Sequence, residues 1–230
     1  FSATNIMIPN TKLKSENANN FEINVSKNFK KTIKFDISAY YTYLDNAIVR
    51  RETQVNGKDS ILYNDVMSKT FSLQNAAFAE IMGTNFGVEI KLPHGFSITS
   101  RFNYQKGTEE LENGTTSPSR HAAPWFGLSR LTYTKNDLSF QLYAVYSGEV
   151  KHENMNEEEK QKLFIYAKNS EGLPYSPAWQ TLNFKAMYQF NPNFTFSGGI
   201  ENITDLRYRP YSSGIVAPGR NLVFSLRASF

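Results

Sequence analysis

The sequence predicts an all-β fold: antiparallel strands in up-and-down order, each with one face for hydrocarbon and one for water. Three observations lead there. From Leu222 onward, Leu222, Phe224, Leu226, Ala228 and Phe230 alternate with Val223, Ser225, Arg227 and Ser229. A strand points successive side chains to opposite faces, so this apolar face runs to the final residue. Short turns and long connections alternate strictly along the chain. The composition is rich in rings, with 18 Phe and 13 Tyr, yet contains no run of apolar residues long enough for a spanning helix.

Composition narrows the function classes. With no cysteine in 230 residues there is neither a disulfide framework nor a thiolate metal site. The net charge of +4 is small and spread along the chain, which argues against a dedicated nucleic-acid surface. Mean hydropathy is negative, as alternating barrel strands also average to polar. The opening stretch, Phe1 to Asn20, is polar and irregular and carries no secretory leader. The expectation is a processed chain or a piece of a longer one.

Taken in order, Asn10 to Asn20 reads as a loop, after which Phe21, Ile23 and Val25 alternate with Glu22, Asn24 and Ser26. A basic turn around Asn28 to Lys31 leads to the cleanest period-2 stretch. There Ile33, Phe35, Ile37, Ala39, Tyr41 and Tyr43 stand against Lys34, Asp36, Ser38, Tyr40 and Thr42. A polar stretch from Asp45 to about Ser72 reads as a long loop. Phe86 to Leu92 and Phe96 to Tyr104 flank the tight turn Pro93-His94-Gly95. After a loop from Gln105 to Pro124, Trp125 to Thr134 is a weaker strand because Phe126, Leu128 and Leu131 interrupt its alternation. Leu138 to Tyr146 returns beside it. In the loop from Gly148 to Ala178, a short helix is expected within Asn154 to Tyr166, with Glu157 to Glu159 as its solvated start. Leu182 to Phe190 and Phe194 to Ile200 flank Asn191-Pro192-Asn193, and a last loop, Asp205 to Asn221, precedes the closing strand.

Turns near residues 29, 94, 136 and 192 are short, whereas connections near 60, 115, 163 and 213 are long. Strict alternation places all short turns at one end of the sheet, the pattern of outer-membrane barrels, whereas Greek-key sandwiches mix their connections. The count is about nine strands. Bacterial single-chain barrels close with an even number, because a free edge in lipid leaves backbone groups unpaired. Either Met67 to Ala79 hides a tenth strand, or residues 1–230 are the C-terminal segment of a larger barrel; the second is preferred.

Two stretches carry a family resemblance. Gly198 to Phe230 contains Glu-Asn-Ile-Thr-Asp (Glu201 to Asp205), a Tyr/Arg-rich loop, Ala-Pro-Gly-Arg (Ala217 to Arg220) and a strand ending in Phe. Ile8 to Phe29 contains a Leu-Lys-Ser-Glu segment ahead of a strand, with Ser15 where Pro is usual. Both resemble TonB-dependent outer-membrane receptors. The resemblance implies a barrel of twenty-two strands with a plug in its lumen, the plug lying outside this chain. It also implies uptake of an iron–siderophore complex, haem or a similar scarce ligand, with energy delivered by the TonB complex through the plug. The expected location is the bacterial outer membrane; the expected partners are its lipid, the barrel-assembly machinery and an iron chelate or haem. No resident cofactor and no catalytic activity are expected.

Candidate residues follow from that placement. Phe224, Leu226 and Phe230 form an outward apolar signal for barrel assembly, against the alternative of an ordinary edge strand. Arg207, Tyr208, Arg209 and Tyr211 suit an anionic ligand, since guanidinium and phenol match carboxylate or catecholate groups; packing between loops is the competing explanation. His121 and His152 are possible iron or metal ligands on loops, where a lone histidine is more often solvated. His94 sits in a turn and reads as structural. Two other classes stay open. A barrel enzyme would need a Ser–His pair at the membrane surface. A soluble β-sandwich binding module would have to bury Lys34, Asp36, Glu89, Lys91, Arg101 and Glu201, or expose nearly as many rings.

Overall fold

A computed structural model describes residues 5–120, 122, 123 and 125–229. Nine strands form the main path of one sheet: β1 (Asn17–Phe29), β2 (Ile33–Glu52), β3 (Val66–Lys91), β4 (Phe96–Glu110), β5 (Trp125–Lys135), β6 (Leu138–Ser147), β7 (Trp179–Asn191), β8 (Phe194–Glu201) and β9 (Asn221–Ala228). Each pairs with its neighbours in the chain, so the order is up-and-down, with antiparallel ladders. Three of the four short turns, those near residues 30, 94 and 136, obtain their reversal from left-handed backbone. Lys30 and Lys31 have φ of 46° and 55°, His94 61° and Asn136 51°, the twist that two-residue hairpin turns need.

Nine strands match the expected number, but their lengths do not. β2 runs on to Glu52 and β3 starts at Val66, so most of the polar stretch after Asp45 is ladder rather than loop. Met67 to Ala79 is no separate strand; it is continuous with Phe86 to Lys91 in one strand of 26 residues. Crossing a bilayer takes about 9–11 residues, so the far half of β3 lies beyond what spanning requires. β1 likewise begins at Asn17, inside the stretch read as a loop. Among the described residues no helix is long and apolar enough to cross a membrane.

The chain divides into two compact units. One holds the described residues of Phe1–Phe21, Tyr41–Met82 and Gly107–Ser119; the other holds those of Glu22–Tyr40, Gly83–Lys106 and Arg120–Phe230. In the first, Asn5–Met7 adds in parallel to β3, with Asn5 opposite Lys69, and Ser60–Tyr63 pairs antiparallel with the same strand. The following segment, residues 8–16, is tied down by side chains. Asn10 Nδ2 donates to the Leu73 carbonyl (2.8 Å), Asn75 exchanges bonds with the Lys14 backbone (2.7 and 2.8 Å), and Glu16 accepts from the Ile48 amide (2.7 Å). Arg51, largely buried, pairs with Glu110 at 2.6 Å and caps the Leu111 carbonyl.

In the second unit the ladders fix the two faces. Opposite residues share a face. Phe96 with Tyr133, Ile98 with Leu131 and Phe102 with Gly127 therefore form one face, and Arg101 with Leu128 and Asn103 with Phe126 the other. Leu131 thus keeps the apolar side, whereas Phe126 and Leu128 stand on the polar one. There they line a cavity of about 770 Å³ together with Asp36, Gly87, Arg101 and Asn103. Exposure runs opposite to that of a soluble core. Phe35 and Ile37 are 37% and 50% exposed while Lys34 and Asp36 beside them are half-buried. Buried residues include Thr181, Asn183, Asn202 and Glu159 but, among the described residues, no Phe or Leu. A dry sandwich would bury its rings. Rings outward and hydroxyls, amides and ions inward is the sidedness of a sheet in lipid.

Candidate functional site

The long connections of the second unit gather around one carboxylate. Asn156 caps a single helical turn, α1 (Glu157–Lys160), its side chain accepting from the Glu158 amide at 2.9 Å. The turn aims Glu159 inward, where it is fully buried. This corrects the expected solvated run: Glu157 and Glu158 are exposed, but Glu159 is not. Arg120 Nε and Lys162 Nζ each donate to its Oε1 at 2.6 Å, and the Tyr166 hydroxyl donates to Oε2 at 2.5 Å. Ser212 Oγ lies 3.4 Å from Oε1. Cross-links between the connections complete the cluster. The Asn156 amide donates to the Tyr211 hydroxyl (2.8 Å), the Ser212 amide to Tyr166 (3.3 Å), and Arg209 Nη1 to the Ile165 carbonyl (2.8 Å). Val150 and Met155, in the same connection as Glu159, are fully buried.

Burial pushes the Glu159 carboxyl upward, but the hydrogen bonds from Lys162, Tyr166 and Arg120 outweigh it and hold the pKa at about 2. A depressed carboxyl stabilises the fold fully above its ordinary value near 4.5, and that contribution disappears as pH falls toward about 2. The charged and titratable groups facing it are Arg120, Lys162 and Tyr166, with Glu158 on the far side of Arg120. The cluster should therefore hold at pH 5 and above and loosen between pH 4.5 and 2, losing on the order of 1–2 kcal/mol once solvent screening of the half-exposed Arg120 and Lys162 is allowed for. Emission from Trp179, isolated by Trp125→Phe, followed against pH checks this; a transition centred near pH 6 would contradict it.

Beside the cluster lies a cavity of about 500 Å³ lined by Phe164, Tyr166, Trp179, Arg207, Tyr208 and Arg209, among others. Trp179 and Tyr208 pack ring on ring at 4.2 Å. Arg209 lines this cavity and its Nε is buried without a hydrogen-bond partner among the described residues. Of the residues singled out from sequence, Arg207 and Arg209 line this cavity, while Tyr211 sits in the neighbouring hydrogen-bond cluster. His152 Nδ1 lies 3.1 Å from the Pro174 carbonyl. His121 falls outside the described residues, and among those described no three His, Asp or Glu side chains gather as a metal site. Sequence reasoning missed Trp179 and Tyr166, whose positions depend on which loops meet.

The root of the last long connection explains the Glu-Asn-Ile-Thr-Asp and Ala-Pro-Gly-Arg segments. Asn202 is buried with φ of 49°. Its Nδ2 donates to the carbonyls of Leu206 (2.8 Å) and Pro218 (3.2 Å), its Oδ1 accepts from the Leu206 amide (2.9 Å), and its own amide donates to Asn183 Oδ1 (2.8 Å). Asp205 Oδ1 accepts from the Arg220 amide at 2.7 Å, and Arg220 Nε donates to the Ile203 carbonyl at 3.0 Å. A Cβ on Gly219 would come within 2.6 Å of Asp205 Oδ1, so only glycine fits there without a shift. The two segments are halves of one clip that closes the loop.

A family model described as "TonB dependent receptor-like, beta-barrel" matches residues 1–203. No curated protein matches the chain in sequence. Among solved structures, the siderophore receptor PirA from Acinetobacter baumannii is similar at 18% identity and a TM-score of 0.72, over 97% of this chain and 33% of that one. The FrpB iron transporter from Neisseria meningitidis is similar at 14% identity and 0.69, over 98% and 33%. The copper transporter OprC is similar at 16% identity and 0.67, over 96% and 31%. The chain thus spans about a third of the length of the structures it matches, and at these identities the likeness is one of fold.

Proposed function

The chain belongs to the TonB-dependent receptor-like β-barrel family, and from this we propose that it is barrel wall and ligand-capturing loops of an outer-membrane receptor for a scarce ligand. In this reading residues 1–230 are the C-terminal nine strands of a twenty-two-stranded barrel. A plug domain outside the chain couples it to the TonB complex, and Phe224, Leu226 and Phe230 address it to the barrel-assembly machinery. The observation that carries the reading is the sidedness: exposed rings on one face, ions and amides on the other. If the chain stayed dispersed in buffer without detergent, the membrane reading would fail.

For the ligand class, an iron chelate with aromatic, anionic groups fits best. Trp179 and Tyr208 offer ring faces and Arg207 and Arg209 offer guanidinium donors in one cavity, which suits a catecholate. PirA is a siderophore receptor by name and FrpB an iron transporter, which supports the class without identifying the ligand. Haem is the second reading, with His152 close to the same loops, although its ring already meets the Pro174 carbonyl. In a Trp125→Phe background, a ferric tris-catecholate should quench Trp179 saturably. Arg207→Ala should weaken that binding about tenfold, the share of one charge-assisted hydrogen bond. Quenching by haemin with none by the catecholate would reverse the order of the two readings.

A further inference from the structure

The receptor reading makes no use of Glu159, yet its burial and bonding are unlike those of the other carboxylates. Of the ion pairs in the described residues, the two formed by Arg120 Nε and by Lys162 share this one fully buried acceptor, while most of the others are between exposed or half-exposed groups. A buried carboxylate is costly unless paired and fully hydrogen-bonded, and here the partners come from three separate stretches. Arg120 precedes β5, Lys162 and Tyr166 belong to the β6–β7 connection, and Ser212 to the β8–β9 connection. One of the partners, Tyr166, lines the ligand cavity directly, and the carbonyl of its neighbour Ile165 anchors Arg209. Removing the charge would weaken the bonds of Arg120, Lys162 and Tyr166 to this one acceptor at the same time.

We propose that Glu159 is an ionic latch that binds these three stretches into a single body, so that the walls of the loop cavity open and close as a unit. Each stretch is then held by the other two, and loosening any arm loosens all. Tyr166 and Arg209 keep their places in the cavity wall only while the latch is closed. The link to ligand capture rests on the receptor reading; the latch itself does not, and it is tested without any ligand.

Amide hydrogen exchange on the protein in lipid nanodiscs separates a latch from independent loops. Glu159→Gln keeps the shape and removes the charge. It should raise exchange about tenfold or more at Asn156, Ile165 and Ser212 together, with the β6–β7 ladder unchanged. If residues 156–166 speed up while 202–220 keep their rates, the connections move independently and the latch is refuted. Arg120→Met supplies the second arm should the first variant not fold. It lies before β5, yet on the latch account it must also raise exchange at Ser212, and unchanged rates there would overturn the proposal. Glu159→Asp, one methylene shorter, should restore part of the protection lost in the Gln variant; no recovery would place the effect in packing rather than charge.

Discussion

Phe224→Arg should destabilise the membrane-inserted sheet by about 2–4 kcal/mol, the cost of an arginine on a lipid-facing strand near the bilayer midplane. Phe224 occupies the middle of β9, an eight-residue strand, and crossing takes about 9–11 residues, so it sits near half depth. It faces Gly198 across the ladder and stacks on Phe196 at 6.3 Å. Leu226→Arg, two residues nearer the strand's end, should cost less, because the penalty falls to about 0–1 kcal/mol at the interfaces. Ser225→Arg lies between them but opposite Ser197 on the polar face, and it should cost well under 1 kcal/mol, as lumen substitutions do. Urea titration of liposome-inserted protein measures all three. Equal costs at 224 and 225 would overturn the face assignment and the barrel reading with it.

These outcomes depend on features legible in the sequence. The alternation in Ile33 to Tyr43 and in Leu222 to Ala228 specifies the faces because one of them must be apolar throughout. The alternation of short and long connections specifies the up-and-down order. The length of β2 and β3 was not legible. In Asp45 to Glu52 and Val66 to Asn85 polar and apolar residues cluster instead of alternating strictly, and their strand character comes from ladder partners, with Asn5–Met7 and Ser60–Tyr63 adding to β3. Phe126 and Leu128 were misleading for the opposite reason: they are apolar on the polar face, where they meet a cavity rather than lipid. Nor could Glu159 be told from Glu157 and Glu158. Three adjacent carboxylates look alike until Arg120, distant in sequence, selects one of them.

Asn202→Ala should cost about 2–3 kcal/mol, because this one side chain makes three of the bonds that close the clip. The asparagine amide answers two carbonyls and one backbone amide, from Leu206 and Pro218. An unanswered backbone group costs about 1–3 kcal/mol when fully buried; Leu206 and Pro218 are exposed residues, so water recovers part of that. A second cost arises from the backbone: φ of 49° is tolerated by asparagine and glycine but is strained for alanine. Asn202→Gly separates the two terms, since it keeps the left-handed conformation and loses only the hydrogen bonds; its deficit should be smaller than that of Ala by about 1 kcal/mol. Asp205→Ala, which frees the Arg220 amide near the surface, should cost less than either. Because the clip lies between β8 and β9, its loss should also release the 202–220 loop while leaving Trp179 to Asn191 protected. Proteolysis between residues 206 and 218 together with denaturant titration reads both effects. A wild-type stability for Asn202→Ala would mean that the loop root is held by the Asp205–Arg220 contact alone.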